Sequence, residues 1–268
     1  MVTHGDWKTT FRPDIPSSAR IYDYFLGGKD NFPADREAGD EIAGYLPVIR
    51  EAAQWNRAFV GRAVRFLVNE AKITQLLDIG SGLPTKGNVH EVAHAADPDI
   101  RVVYVDHDPV VLTHARDLLA KERNAVIVKY DMREPERILA DHELRHQLDF
   151  SLPVGLMFVS MLHFLPDDDD PAGIIGRLLA PFPPGSYVAL THGTADADPY
   201  VKDAAKVYDE ATTQMFVRTK SKVLEMVHGM ELVQPGLVWT PQWRPDPGDR
   251  VPARPSDSYY YALAARKP

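Results

Sequence analysis

Short apolar runs and helical patterns take turns through the centre of this chain. Runs at 75–79, 102–106, 125–129, 154–159 and 186–191 have the length and β-branched content of buried strands. Between them, Val110, His114 and Leu118, flanked by Val111, Ala115 and Leu119, share one helical face, as do Ile174, Ile175, Leu178 and Leu179. Strand and helix in alternation predict an α/β chain with a parallel sheet covered on both faces. Such sheets take ligands beyond the C-terminal strand ends, near the point where strand order reverses.

The flanks read differently. Residues 1–50 form an extension that wraps onto the rest, as a cap or lid ahead of the main domain at 51–268. In it, Ser17 or Ser18 caps a short helix through Ile21 and Leu26, which Gly27-Gly28 ends, and a second helix covers 34–44. Pro47 opens a longer helix with an apolar face at Phe59, Val60, Ala63, Val64, Leu67, Val68 and Ala71. Beyond the fifth strand, helices are expected over 201–215 and 221–227. Two strands at 231–233 and 258–263 flank a proline-rich loop and predict an antiparallel edge pair, making a mixed sheet of seven strands.

Composition narrows the field. With 268 residues, 44% hydrophobic and 25% charged, the chain suits one globular domain plus its extension. No run of about 18 apolar residues suggests a membrane span. The opening Met1-Val2-Thr3-His4-Gly5-Asp6 lacks the basic-then-apolar pattern of a secretory signal. The absence of cysteine removes disulfides, thiolate metal sites and thiol nucleophiles, and it fits a cytoplasmic protein. A net charge of −8 with scattered Lys and Arg argues against nucleic acid as a partner.

Candidate chemistry gathers at the strand ends. In Leu76-Leu77-Asp78-Ile79-Gly80-Ser81-Gly82 a buried strand runs into a turn whose bare N–H groups can face a ligand, and Asp78 favours a ligand site over an ordinary turn. A dinucleotide-binding Gly-x-Gly-x-x-Gly would need glycine where Thr85 stands, which argues against an NAD-dependent oxidoreductase. Asn88-Val89-His90-Glu91 resembles a capping box that starts the next helix late. One strand–helix–strand step later, Asp106 offers two acceptor oxygens to the hydroxyls of a ribose, while Asp108 before Pro109 suits a helix cap. After the third strand, Asp131 can take an adenine amine while Met132 covers the ring. The acidic run 167–170 reads as a solvated helix cap, and His90/His94 and His142/His146 as surface pairs without a third metal ligand.

Together these strand ends resemble the class I S-adenosylmethionine (SAM)-dependent methyltransferases over residues 50–268. The resemblance implies a Rossmann-like sheet, Asp78-x-Gly80-x-Gly82 with Ser81 as the first cofactor motif, Asp106 and the adjacent His107 at the ribose, and Asp131 and Met132 at the adenine. It also implies that Ser160 and Met161 pass the methionine part. The string from Pro16 to Phe32 is similar to the opening signature of a bacterial family of predicted S-adenosyl methyltransferases, long listed as a domain of unknown function. Gly80–Thr85, Val103–Asp106 and Pro235-Gly236-Leu237 match that family too.

The expected activity is therefore methyl transfer from SAM to a small-molecule acceptor, with a SAM-binding sensor as the rival from another class. His163 sits where phenolic O-methyltransferases of this fold carry a general base, although the same position elsewhere only holds a loop. His192 is a second candidate. Ser160-Met161-Leu162 is not the Asn/Asp-Pro-Pro-Tyr of base-amine methyltransferases. Ser160 and Thr191-His192 also replace the acids that a magnesium-dependent mechanism would need, so no metal is expected. The segment from Tyr22 to Phe32 is expected to fold over the site mouth and present Tyr24, Lys29, Asp30 and Asn31.

Overall fold

The computed structural model describes residues 12–85 and 87–268, so the opening residues read for a leader lie outside it. Three helices come first: α1 (Ser18–Phe25), α2 (Pro33–Tyr45) and α3 (Ile49–Arg65). The alternating part follows as β1 (Gln75–Ile79), α4 (Val89–Ala96), β2 (Arg101–Asp106), α5 (Pro109–Leu119), β3 (Ala125–Lys129), α6 (Pro135–Ala140), α7 (His142–Gln147), β4 (Gly155–Val159), α8 (Pro171–Leu179) and β5 (Tyr187–Gly193). The chain ends with α9 (Val201–Lys206), α10 (Lys220–Glu225), β6 (Glu231–Leu232), β7 (Val238–Trp239) and β8 (Tyr260–Arg266).

The sheet runs β3-β2-β1-β4-β5-β8-β6, parallel from β3 to β5, with β8 antiparallel between β5 and β6. Strand residues alternate between two cores. Leu77, Ile79, Val103 and Val105 pack toward α8, and Leu76, Val102 and Tyr104 pack toward α3 and α5. The chain moves outward to β2 and β3 on one side and to β5 on the other, so strand order reverses between β1 and β4. The crevice above that reversal is where a ligand site forms.

Among the described residues eight strands replace the expected seven, because the sixth position is broken. β6 and β7 both pair with β8, but Pro235 between them has no N–H to give the ladder, and the Gly236 N–H turns back to Val233 O at 2.7 Å. The expected helix over 201–215 stops after α9 and one 3-10 turn. Beyond it Thr212 N–H donates to Pro16 O at 2.9 Å and Phe216 N–H donates to His163 O at 2.6 Å, so the chain becomes a strap laid across the strand tips. His90 is buried, contrary to expectation, because α4 packs on β2 and its ring meets the Tyr104 hydroxyl at 2.8 Å.

Residues 12–50 hold a smaller core of their own, with Ile21, Phe25, Ala38 and Ile42 packed against Val201 and Tyr260. A buried ion pair anchors it: Arg20 Nε donates to Asp35 Oδ2 at 2.8 Å, and the same carboxylate accepts Ser17 N–H and Phe32 N–H. Among the described residues no helix is long and apolar enough to cross a membrane.

Candidate functional site

Two adjoining cavities open above the β1–β4 reversal. The first, about 940 Å³, is floored by Asp78, Gly80, Ser81 and Gly82 and walled by Asn56 and Arg57 of α3, Asp106 and His107 after β2, and Ser160, Met161 and His163 after β4. Ser17, Ser18 and Tyr22 of the N-terminal segment, with Tyr208, Thr212 and Tyr260, close it. The second, about 790 Å³, holds Asp131, Met132 and Arg133 and shares Ser18, His107, Met161 and Phe164 with the first.

The glycine turn is shaped for this place. Gly80 has φ +76° and a Cβ there would fall 2.1 Å from Met161 Sδ, while Gly82 has φ +64° and faces open space. A side chain would be strained at either position. The Gly82 N–H donates to Asp106 Oδ2 at 3.0 Å, and Asp108 N–H donates to Asp106 Oδ1 at 2.9 Å. Both oxygens are thereby oriented, and each keeps a lone pair for a ligand hydroxyl. Asp108 caps α5 through Val110 N–H, as expected, and its other oxygen accepts from Ser17 Oγ. Ser17 therefore spends its hydroxyl on the cavity rim rather than on capping α1.

Burial pushes the Asp78 carboxyl up to about 7, with Arg57 opposing the rise and Asp106 adding to it. Three buried polar atoms on the wall have no hydrogen-bond partner: Asn56 Oδ1, Arg57 Nε and Ser81 Oγ. A cavity edged by unpartnered polar atoms, an acid and a guanidinium is chemically suited to a zwitterionic ligand end, and the paired acceptors of Asp106 suit a ribose. A SAM molecule therefore fits the donor and acceptor set of this wall.

Several expected residues lie elsewhere. Tyr24 points away from both cavities, giving its hydroxyl to Asp40 at 2.7 Å and its ring to Arg50. Asn31 is held by Asp23 and Gly28 O and lines neither cavity, and neither do Lys29 and Asp30. α1 turns its Tyr22 side inward, and the loop after Gly28 folds back onto Asp23. His192 lies behind His163, its Nδ1 donating to Gly193 O and its Nε2 facing Arg218 at 3.1 Å. Burial lowers it to about 3, so it is neutral and fully engaged. The acidic run is divided: Asp167 pairs with Arg218, Asp169 with Arg133, and Asp170 caps α8.

Other wall residues were not foreseen. Asn56 is completely buried, three residues before Phe59 on the apolar face of α3, and that polar break was the available signal. Its Nδ2 donates to Tyr22 Oη and to Ser160 Oγ, both at 2.8 Å. Ser160 itself has φ +57°, an unfavourable value for a side-chain residue, held where Ser160 N–H meets Thr191 Oγ1. Arg218 reaches from the strap to Leu162 O and Leu165 O and fixes the loop that carries His163. It had no sequence signal beyond being a lone arginine.

This sheet order, with a glycine turn and an acid-tipped second strand at its reversal, defines a class I SAM-dependent methyltransferase. The chain belongs to the S-adenosyl methyltransferase family, whose profile matches residues 7–268, and its cofactor is SAM. It is 44% identical to a DUF574 family protein from Streptomyces avermitilis, with a TM-score of 0.92 over 96% of this chain and 100% of that one. It is 42% identical to a candidate methyltransferase from Thermobifida fusca, with a TM-score of 0.89 over 95% and 96% of the two chains. A SAM-dependent methyltransferase from Anabaena variabilis, at 14% identity, shares the fold with a TM-score of 0.52 over 80% of this chain and 87% of that one. No protein of curated function matches.

Proposed function

We propose that this enzyme methylates a small molecule held in the tyrosine-lined end of the first cavity, between Tyr22, Tyr208, Tyr260 and His163. The observation that carries the reading is the Asp106 carboxylate, oriented by Gly82 N–H and Asp108 N–H on the wall of a cavity that also holds the glycine turn, Arg57 and the tyrosines. In this reading Asp106 and His107 take the ribose, Gly80, Ser81 and Gly82 border the chain between sugar and sulfur, and Asp131 and Met132 receive the adenine. Arg57 and Asp78 hold the two charges of the amino-acid end, with Met161 packed beside the sulfur.

The bound cofactor supplies a methyl group already activated on a sulfonium. The protein's own part is to orient an acceptor behind that methyl and to exclude water, and neither task requires a metal. Exclusion falls to residues 12–50, which we read as a cap whose Ser17, Ser18 and Tyr22 close the rim, and to the strap carrying Thr212.

Titration calorimetry with SAM and S-adenosylhomocysteine tests the cofactor half. Saturable heat that Asp106→Ala weakens supports it, and no heat with either compound on folded protein refutes it. Transfer of a labelled methyl group to small acceptors tests the other half. Tight binding without any methylated product would favour the sensor.

A further inference from the structure

The acceptor end of the cavity has a chemical character that the cofactor end lacks. Its polar groups are phenols, the hydroxyls of the strap and of Ser160, the Asn56 amide and one imidazole, while Asp78 and Asp106 are the acids read above as holding the cofactor and Asp108 caps α5. We propose that the acceptor is a carboxylate, bound by the O–H and N–H groups of Tyr208, Tyr260 and His163 and methylated on oxygen. The inference rests on the methyltransfer reading given above.

The first argument is the orientation of His163. Gly193 N–H points at His163 Nδ1 from 3.3 Å, so that lone pair is already engaged, and the ring proton of the neutral form resides on Nε2, away from Gly193. Burial, with His192 and Arg218 behind it, lowers this imidazole well below its ordinary value and keeps it neutral. His163 is therefore an N–H donor with no lone pair free to take a proton.

The phenols argue the same way. Burial raises Tyr208 and Tyr260, so both keep their protons. Tyr260 lines the cavity beside Ser160, whose Oγ accepts from Asn56 Nδ2. Among the described residues the Tyr208 hydroxyl has no protein partner.

A chamber whose phenols and imidazole donate, and whose imidazole cannot act as a base, selects a nucleophile that brings its own negative charge. A neutral phenol or a protonated amine would have to lose a proton, and His163, the imidazole at this end, has no free lone pair to take it. A carboxylate needs no such step: one of its oxygens forms the new O–CH3 bond, the C–S bond breaks, and the sulfide leaves with the electron pair. The products are a methyl ester and neutral S-adenosylhomocysteine, with no proton to place.

The test uses the full chain with SAM labelled in the methyl group and matched probes: benzoate, phenylacetate and hexanoate against phenol, benzylamine and hexylamine. The expected product appears only with the acids and releases its label as methanol in mild alkali. Alkali-stable label on a phenol or an amine overturns the proposal while leaving methyl transfer intact. No label from any probe, on protein whose SAM binding is measured by calorimetry, overturns it too. Absence of SAM binding defeats instead the reading on which it rests. Tyr260→Phe keeps the ring and removes one donor, so KM for the acid should rise by about 10- to 100-fold at unchanged SAM affinity. An unchanged KM also overturns the proposal.

Discussion

Asn56 Nδ2 donates to Ser160 Oγ at 2.8 Å, joining the N-terminal helix α3 to the tip of β4. Because Ser160 sits at the strand-order reversal, this bond links the wall built by α3 to the floor built by the sheet. Tyr22, bonded to the same Asn56, brings the cap into contact with it. The site is thus assembled from the cap, α3 and the strand tips together.

The Asp106 carboxylate is the group most exposed to test. Asp106→Ala should weaken SAM binding by about 10²- to 10⁴-fold, since it removes two hydrogen bonds to a charged group at about 1.5–3 kcal/mol each. Calorimetry on variant protein with native circular dichroism checks this, and unchanged affinity removes Asp106 from the ribose.

Asp78 predicts a pH dependence with a defined sign. Its folded value of about 7 lies above an unfolded value of about 3.9, so the folded chain holds the proton more tightly. Stability of the ligand-free protein therefore falls as pH rises from about 4 to about 7, through this group. Asp78→Asn should raise Tm at pH 8 and change it little at pH 4. SAM affinity of the native protein should fall by up to about tenfold per pH unit below 7, as protons compete with the cationic ligand end. Scanning calorimetry and ligand titration at matched pH check both.

The two glycines should respond unequally. Gly80→Ala adds a Cβ against Met161 at a positive φ, for a cost of about 2–5 kcal/mol. Gly82→Ala meets no atom within 4 Å and bears only the backbone cost of about 1–2 kcal/mol. Urea denaturation separates them, and equal losses would show that Met161 yields freely.

Removing the anchor of the cap should be costly. Asp35→Ala removes the buried carboxylate that Arg20, Ser17 N–H and Phe32 N–H share, a loss of about 3–5 kcal/mol. The exposed pair Arg50–Asp40 should matter little by comparison. SAM affinity should drop with Asp35→Ala, because Ser17 and Ser18 form the rim. Denaturation and titration of the same samples decide whether cap and site are coupled.

The alternation of apolar runs with helical patterns was sufficient for the parallel core, its five strands and the antiparallel closing pair, since each depends on local periodicity. The glycine turn, Asp78 and Asp106 were equally legible, because a strand tip in such a sheet has only one place to be. Tertiary structure decided the rest. Whether α1 turns Tyr22 or Tyr24 inward depends on which side packs against α3. The end of the helix at 206 depends on a strap bonded to Pro16 and His163. The protonation of His163 is set by a backbone N–H thirty residues away, and the partners of Asp167 and Asp169 by arginines on other loops. Periodicity along the chain carries no information about such pairings, because they follow from which surfaces exclude water from one another after the sheet has formed.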